Sequence, residues 1–403
     1  MKRFFSIIKF ILRVKIILNE PKNYKLVIFD GESLNEIKSV IPKIDYFVMQ
    51  DRINDIDKIY LSFKIFKLFL RNYNGNIKTS YFVSLLQIIK TKAVITFIDN
   101  SFKFSDLAKI LNKEIKFIAI HNAYRFEIIE NDYLYKKKLI KINLNKRFYI
   151  PKLLAYGQCD IDIYKKYKIK VKKFVKVGNV RLANALEYIK KKKIKLKRFR
   201  YDVCVISDTT SNAHFLNIEK KNAESGKHVE DGAVYTVKYS INYCIKHKKK
   251  FIFVLKTNTS NKKGQIDELN FYKKFLTENE FNFLISNTSK NKTGLFVSYI
   301  TMFQSNIAIG TISTMLGEYL GLGGKILACN FTKMKVLDYP IKGICFIRNP
   351  NFEQFEKKLT NILSVNKKKY FSKLNKSKNY IVAHDNKYSP ISLIKKEIMN
   401  AIK

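Results

Sequence analysis

The chain has 403 residues, 46% of them hydrophobic and 14% aromatic, which excludes a disordered polypeptide and exceeds what one core usually organises. Lys and Arg number 77 against 33 Asp and Glu, a net charge of +44 that suits nucleic acid, an anionic membrane face or phosphorylated substrates. The same Lys, Ile and Asn bias, without Trp, is also what an AT-rich coding sequence produces everywhere, so charge alone does not choose a partner.

The first nineteen residues, MKRFFSIIKFILRVKIILN, are broken by Lys9, Arg13 and Lys15 and lack a small-residue cleavage site, which argues against a signal peptide or a spanning helix. At helical period Phe4, Ile7, Ile8, Ile11, Leu12 and Ile16 share one side, so residues 1–20 are expected to form a basic amphipathic segment. It would either lie on an anionic membrane or pack on its own domain. Then come short apolar runs separated by helical stretches: KLVIFD at Lys25 to Asp30, YFVMQ at Tyr46 to Gln50, AVITFID at Ala93 to Asp99 and KFIAIHN at Lys116 to Asn122. This alternation predicts βαβ units around a parallel sheet. In such sheets the carboxyl ends of strands line the ligand crevice, which singles out Asp30, Asp99 and His121. RFYIPKLLAYGQCDIDIYKKY and FVKVGN read as further strands closing a first domain over residues 21–180.

Residues 181–200 pass from a helical stretch into KKKKIKLKRFRYD, a charge run that suits an exposed basic linker. No aromatic platform or recognisable nucleic-acid motif accompanies it, which argues against nucleic acid as partner. A second α/β domain is expected over residues 201–365, with strands DVCVISD, KFIFVLKTN, NFLIS, SNIAIGT, KILACNF and GICFI. Residues 366–403 read as helical, with the final segment expected to pack back across the first domain. The fold class is therefore α/β, two Rossmann-like domains facing a cleft. Cys159, Cys204, Cys244, Cys329 and Cys345 are odd in number and show no CxxC spacing, which fits a reducing, cytoplasmic compartment.

The most informative segment is SNIAIGTISTMLGEYLGLGGKILACNF, from Ser305 to Phe331. A strand ending at Gly310 runs through Thr311 and Ile312 into Ser313 and Thr314, where a helix begins. Hydroxyls there either cap the helix or, with its exposed N–H groups and dipole, hold a phosphate. Glu318 follows Thr314 by four residues, on about the same helix face, where a carboxylate would accept hydrogen bonds from a ribose diol.

IGTISTMLGEYLGLGGKIL resembles the donor-nucleotide element of GT-B glycosyltransferases, in particular the bacterial surface-polysaccharide group with capsule Kdo-transferase-like and glycerophosphotransferase-like proteins. VITFIDNS at Val94 to Ser101 and DYPIKGIC at Asp338 to Cys345 extend the resemblance, over residues 24–380, to surface carbohydrate biosynthesis proteins. It implies a metal-independent transferase, with no cofactor beyond a nucleotide-sugar substrate, acting on a capsule, lipopolysaccharide or lipid-linked glycan acceptor. A CMP-linked acidic sugar is the favoured donor, with CDP-, UDP- and GDP-linked donors open. AIHNAYRFE, carrying His121, Asn122 and Arg125, stands where the capsule transferases have a QHG-type tripeptide, and no DxD metal site is evident beyond the DID spacing at Asp160 to Asp162, on what reads as a strand.

For such chemistry Lys256 and Asn258, just after FIFVL, are placed to join Ser313 and Thr314 at the leaving phosphate. Asp208, followed by Thr209-Thr210-Ser211, would cap a helix or touch the donor. Asp30, Glu32, Asp99 and His121 are the candidates for the base. Two alternatives stay open: a non-catalytic polyanion- or nucleic-acid-binding protein, and another sugar-nucleotide enzyme such as an epimerase. FDGES after the first strand is not a GxGxxG fingerprint.

Overall fold

The computed structural model describes residues 12–31, 34–99, 101–121, 148–196, 199–208, 223–256, 261–289, 296–331, 335–384 and 388–403. The first half contains β1 (Lys15–Ile17), β2 (Leu26–Phe29), β3 (Tyr46–Met49) and β4 (Lys58–Tyr60), then α1 (Phe63–Arg71), α2 (Ile77–Ile89), β5 (Ala93–Thr96), α3 (Phe102–Leu111) and β6 (Lys116–Ile120). It continues with β7 (Tyr149–Ala155), α4 (Gln158–Lys166), β8 (Lys170–Lys176) and α5 (Val180–Lys191). Six strands form one sheet in the order β3-β2-β5-β6-β7-β8, every pair parallel. The side chains of β2 and β5 are buried along their whole length, which is why their sequences are continuous apolar runs.

The second half has β9 (Tyr201–Ile206), α6 (Ala223–Lys246), β10 (Phe251–Val254), α7 (Lys262–Lys273), α8 (Glu278–Ser286), α9 (Val297–Phe303) and β11 (Ser305–Gly310). After these come α10 (Thr314–Gly321), β12 (Lys325–Asn330), β13 (Phe346–Arg348), α11 (Phe352–Ser364), α12 (Lys367–Ser372) and α13 (Pro390–Ile402). Its sheet runs β10-β9-β11-β12-β13, again all parallel. Each sheet reverses its direction of growth once, between β2 and β5 in the first and between β9 and β11 in the second. These reversals are the switch points at which open α/β sheets leave a crevice at the strands' carboxyl ends.

Three expected elements differ. NFLIS is not a strand but the end of α8, whose start is fixed by Thr277 and Glu280 in a reciprocal capping box. QCDIDIYKK is α4, so Asp160 and Asp162 lie on a helix. Lys15–Ile17, expected within an amphipathic helix, is a strand paired with β4, and residues 1–11 of that segment lie outside the described residues.

Of the stretch 181–200, the first part is α5, which faces both halves. Val180 and Ala183 belong to the core beneath the first sheet, while Leu182 and Ala185 belong to the core of the second. The end of the chain returns to the first half: Ile391, Ile394, Ile398 and Ile402 of α13, at helical spacing, pack on Leu26, Ile28 and Ile95. The segment leading to α13 bonds to the end of β7 and the start of α4, with Cys159 N donating to Tyr380 O at 2.8 Å and Ala383 N to Tyr156 O at 2.7 Å. All five cysteines are buried and none is in a disulfide; they lie on α4, β9, α6, β12 and just before β13.

Candidate functional site at the switch points

At the second switch point Asp208 follows β9 and Thr311 follows β11. One carboxylate oxygen of Asp208 accepts from Thr311 N at 2.8 Å, Thr311 Oγ1 at 2.6 Å and Ile312 N at 3.2 Å. Gly310 closes β11 beside it, where a Cβ would stand 3.5 Å from the same oxygen. Lys256, after the neighbouring β10, reaches the Asp208 carbonyl with its ammonium at 3.3 Å, and its backbone N–H donates to the buried carboxylate of Glu268 at 2.9 Å. The strand ends thus bring Asp208, Lys256, Gly310 and Thr311 together because parallel neighbours end on the same side of the sheet.

Ser313 and Thr314 open α10 from this turn. Ser313 occupies the N-cap position but makes no side-chain cap, so capping does not commit its hydroxyl; both residues are half-buried at the positive end of the helix. A recess beside the turn is lined by Gly232, Thr311, Ile312, Cys329, Asn330, Phe331 and Leu337. Asn330 is held by Asp338, which also pairs with Arg348 and Lys342. Asn258 lies outside the described residues.

Glu318, one turn further into α10, points elsewhere. It is 1% exposed and its carboxylate accepts from Asn179 Nδ2, the N-cap residue of α5, across the junction between the halves. Burial raises its pKa from 4.5 to about 7, against the hydrogen bond from Tyr299, the Arg181 charge and the Asn179 bond, which favour the carboxylate. A ribose would reach this carboxylate only if Asn179 yielded.

At the first switch point Asp30 follows β2 in the left-handed region, φ 62°, an unusual conformation for a side-chain-bearing residue. Its carboxylate, 6% exposed, accepts from Arg52 Nε at 3.2 Å. Asp99 and His121, after β5 and β6, are buried completely. The imidazole stands between two carboxylates, Nε2 3.4 Å from Asp99 Oδ2 and Nδ1 3.1 Å from Asp160 Oδ2. Tyr164 donates to Asp99 at 2.6 Å, and Gly157 N donates to Asp160 at 3.3 Å. Because the two carboxylates flank opposite edges of the ring, these three groups do not converge on one ion. Asp99 and His121 are therefore adjacent, whereas Asp30 is engaged separately with Arg52; Glu32 and the Asn122 to Arg125 stretch lie outside the described residues.

Tyr156 joins the two sets. It is buried at the end of β7, its ring centroid 5.2 Å from that of His121. Burial pushes its phenol well above the ordinary value; Glu318 adds to that rise, Arg181 opposes it, and Asp160 and Asp99 add smaller amounts. The carboxyl end of the first sheet therefore adjoins the flank of α10. Sequence reasoning missed Arg52, Tyr156, Tyr164 and Asn179, and read Asp160 only as part of a DID spacing on a strand. Of the four missed, only Asn179 carried a signal, as an Asn directly before a helical pattern.

No family model and no curated protein sequence matches the chain. Solved structures do resemble it. The UDP-GlcNAc 2-epimerase from Neisseria meningitidis, bound to UDP-GlcNAc, aligns over 95% of this chain and 99% of its own at 15% identity, with a TM-score of 0.50. The S. aureus MnaA–UDP co-structure aligns over 94% and 96% at 11% identity, also with a TM-score of 0.50. The wall teichoic acid polymerase TagF aligns over 94% and 90% at 12% identity, with a TM-score of 0.48. At these identities the likeness concerns the fold, two Rossmann-like α/β domains in the GT-B arrangement.

Proposed function

We propose that the chain is a sugar-nucleotide enzyme, a glycosyltransferase that moves a sugar from a nucleotide-activated donor to a surface polysaccharide or its lipid-linked precursor. The observation that carries this reading is the β11–α10 turn. Its helix start presents the hydroxyls of Ser313 and Thr314, with Lys256 brought to the same strand ends. The diphosphate or phosphate leaving group would sit over this helix start, where the α10 dipole, the two hydroxyls and the ammonium of Lys256 offset the charge that develops as the glycosidic bond to phosphate breaks. The acceptor hydroxyl attacks the anomeric carbon and gives its proton to a base on the first sheet. Of the candidates there, His121 stands against the Asp99 carboxylate and Asp30 is held by Arg52. A CMP-linked acidic sugar is the favoured donor, on the resemblance of IGTISTMLGEYLGLGGKIL to the surface-polysaccharide transferases. The ribose contact assigned to Glu318 belongs to a state in which Asn179 has released it.

A second reading, a sugar-nucleotide epimerase, takes its support from the whole-chain likeness to a UDP-GlcNAc 2-epimerase bound to UDP-GlcNAc and to a second structure bound to UDP. Titration calorimetry with CMP, CDP, UDP and GDP tests the site itself. One nucleotide should bind selectively, and the Ser313→Ala/Thr314→Ala variant should weaken it about tenfold or more, the scale of one or two charge-assisted hydrogen bonds. Equal binding by the variant would remove the phosphate role of the helix start. Product analysis with the sugar nucleotide that binds separates the two readings, because epimer formation without an acceptor excludes transfer as the primary activity.

A further inference from the structure

We propose that the outer face of α1, continued by the β1–β4 ribbon, docks on an anionic lipid bilayer. α1 reads FKIFKLFLR, and at helical period Phe63, Phe66 and Leu70 share one face, 82%, 56% and 58% exposed. The opposite side holds Ile65, 1% exposed, in the core on the face of the first sheet opposite α13, so the helix is anchored from behind. Ser62 caps the helix by accepting from Ile65 N, and Leu61 N donates to Ile17 O at 2.8 Å, which sets the ribbon against the start of α1. The apolar surface therefore runs on through Leu61, Ile16 and Leu18, 48%, 57% and 72% exposed. Single exposed apolar residues are ordinary, but a contiguous face of three large side chains on one helix with three more beside it marks an interaction surface.

Charge selects the occupant. Lys64, Lys67 and Arg71 flank the apolar face of α1, all exposed. Glu20 pairs with Lys64 at 3.1 Å. A second copy of this chain would bring the same cations against one another, whereas an anionic headgroup layer meets them while the acyl boundary takes up the phenyl and leucyl groups. Among the described residues no helix is long and apolar enough to cross a membrane, so the contact is with the surface layer. Docking in this way is independent of the nucleotide reading and would stand if that reading failed.

The test is co-sedimentation of the full chain with phosphatidylcholine vesicles, with and without phosphatidylglycerol. The full chain should bind the anionic vesicles, less so as salt is raised. Phe63→Ser/Phe66→Ser/Leu70→Ser should weaken binding about tenfold or more while leaving the thermal midpoint in place, since these side chains are exposed. Lys67→Glu/Arg71→Glu should abolish the preference for anionic lipid. The proposal is overturned if the full chain binds no vesicles, or if the triple-serine variant binds as the full chain does. It is equally overturned if removal of residues 2–11 alone removes binding that the triple-serine variant retains, or if the triple-serine variant converts a dimer to a monomer and lipid binding is unchanged.

Discussion

At the scale of single residues, burial sets what the carboxylates can do. Asp208 and Glu318 both belong to the second half, yet the first collects two backbone N–H groups and a hydroxyl, while the second is buried at the junction of the halves with side-chain donors from Asn179 and Tyr299. The raised pKa of Glu318 has a definite sign in stability. A group whose pKa is higher when folded stabilises fully below its unfolded value, here 4.5, and loses that contribution as pH rises through about 7. Glu318→Gln keeps an oxygen for Asn179 and carries no charge. Urea unfolding should therefore show the variant and wild type equally stable near pH 4.5. The variant should gain progressively to about 3 kcal/mol above pH 8, because each tenfold change in proton affinity between the folded and unfolded chain is worth ~1.4 kcal/mol. Parallel stability curves across that range would show that the carboxylate is not held against ionisation. None of this was legible in the sequence, where Glu318 read as a ribose-binding carboxylate one turn beyond Thr314; its partner, Asn179, is 139 positions away.

At the scale of elements, the parallel strands were readable because β2, β5, β6, β9 and β11 are buried enough to be nearly unbroken apolar text. The same signal misleads where the run is short. NFLIS carries as many apolar residues as a strand, and only the Thr277 to Glu280 spacing before it marks a helix. In QCDIDIYKK the alternation of Ile and Asp imitates a strand, while Asp160 turns back to Gly157 N and starts α4. Gly157 itself is required by packing, since a Cβ there would collide with the Ile381 carbonyl of the segment that crosses from the second half. Gly157→Ala should cost about 1–3 kcal/mol, as overpacking does. Gly75 is the comparison: its φ is +84° but a Cβ would meet nothing within 4 Å, so Gly75→Ala should cost only the backbone term of about 1–2 kcal/mol and leave the junction intact. Hydrogen exchange separates the two effects. Only Gly157→Ala should expose the amides of Cys159 and Ala383, and their unchanged protection would mean that the crossing segment does not depend on the glycine.

At the scale of the whole molecule, the division into two α/β halves was legible from the length and from two separate strand series, but the way they are fastened was not. The connection is made by elements that serve both cores. α5 has side chains in each, and α13, last in the chain, lies on the first sheet after the second is complete. Between them runs the 380–383 segment, bonded to Tyr156 and Cys159. Two domains joined only by a linker would unfold separately, whereas shared elements couple them, since unfolding either half strips contacts from the other. Ile398 of α13 is fully buried against the first core, so Ile398→Ala should cost about 2–5 kcal/mol. If the halves are one cooperative unit, that loss appears equally at amides of β5 and of β9, measured by native-state hydrogen exchange, although Ile398 belongs only to the core around β5. A loss of protection confined to β5, with β9 unchanged and two transitions in urea, would mean that the crossing elements dock the halves without coupling their stability. The distinction bears on function. On the proposed function, a nucleotide at the β9–β11 switch point and a base on the first sheet would be held in register only if α5, α13 and the segment between them transmit the position of one sheet to the other.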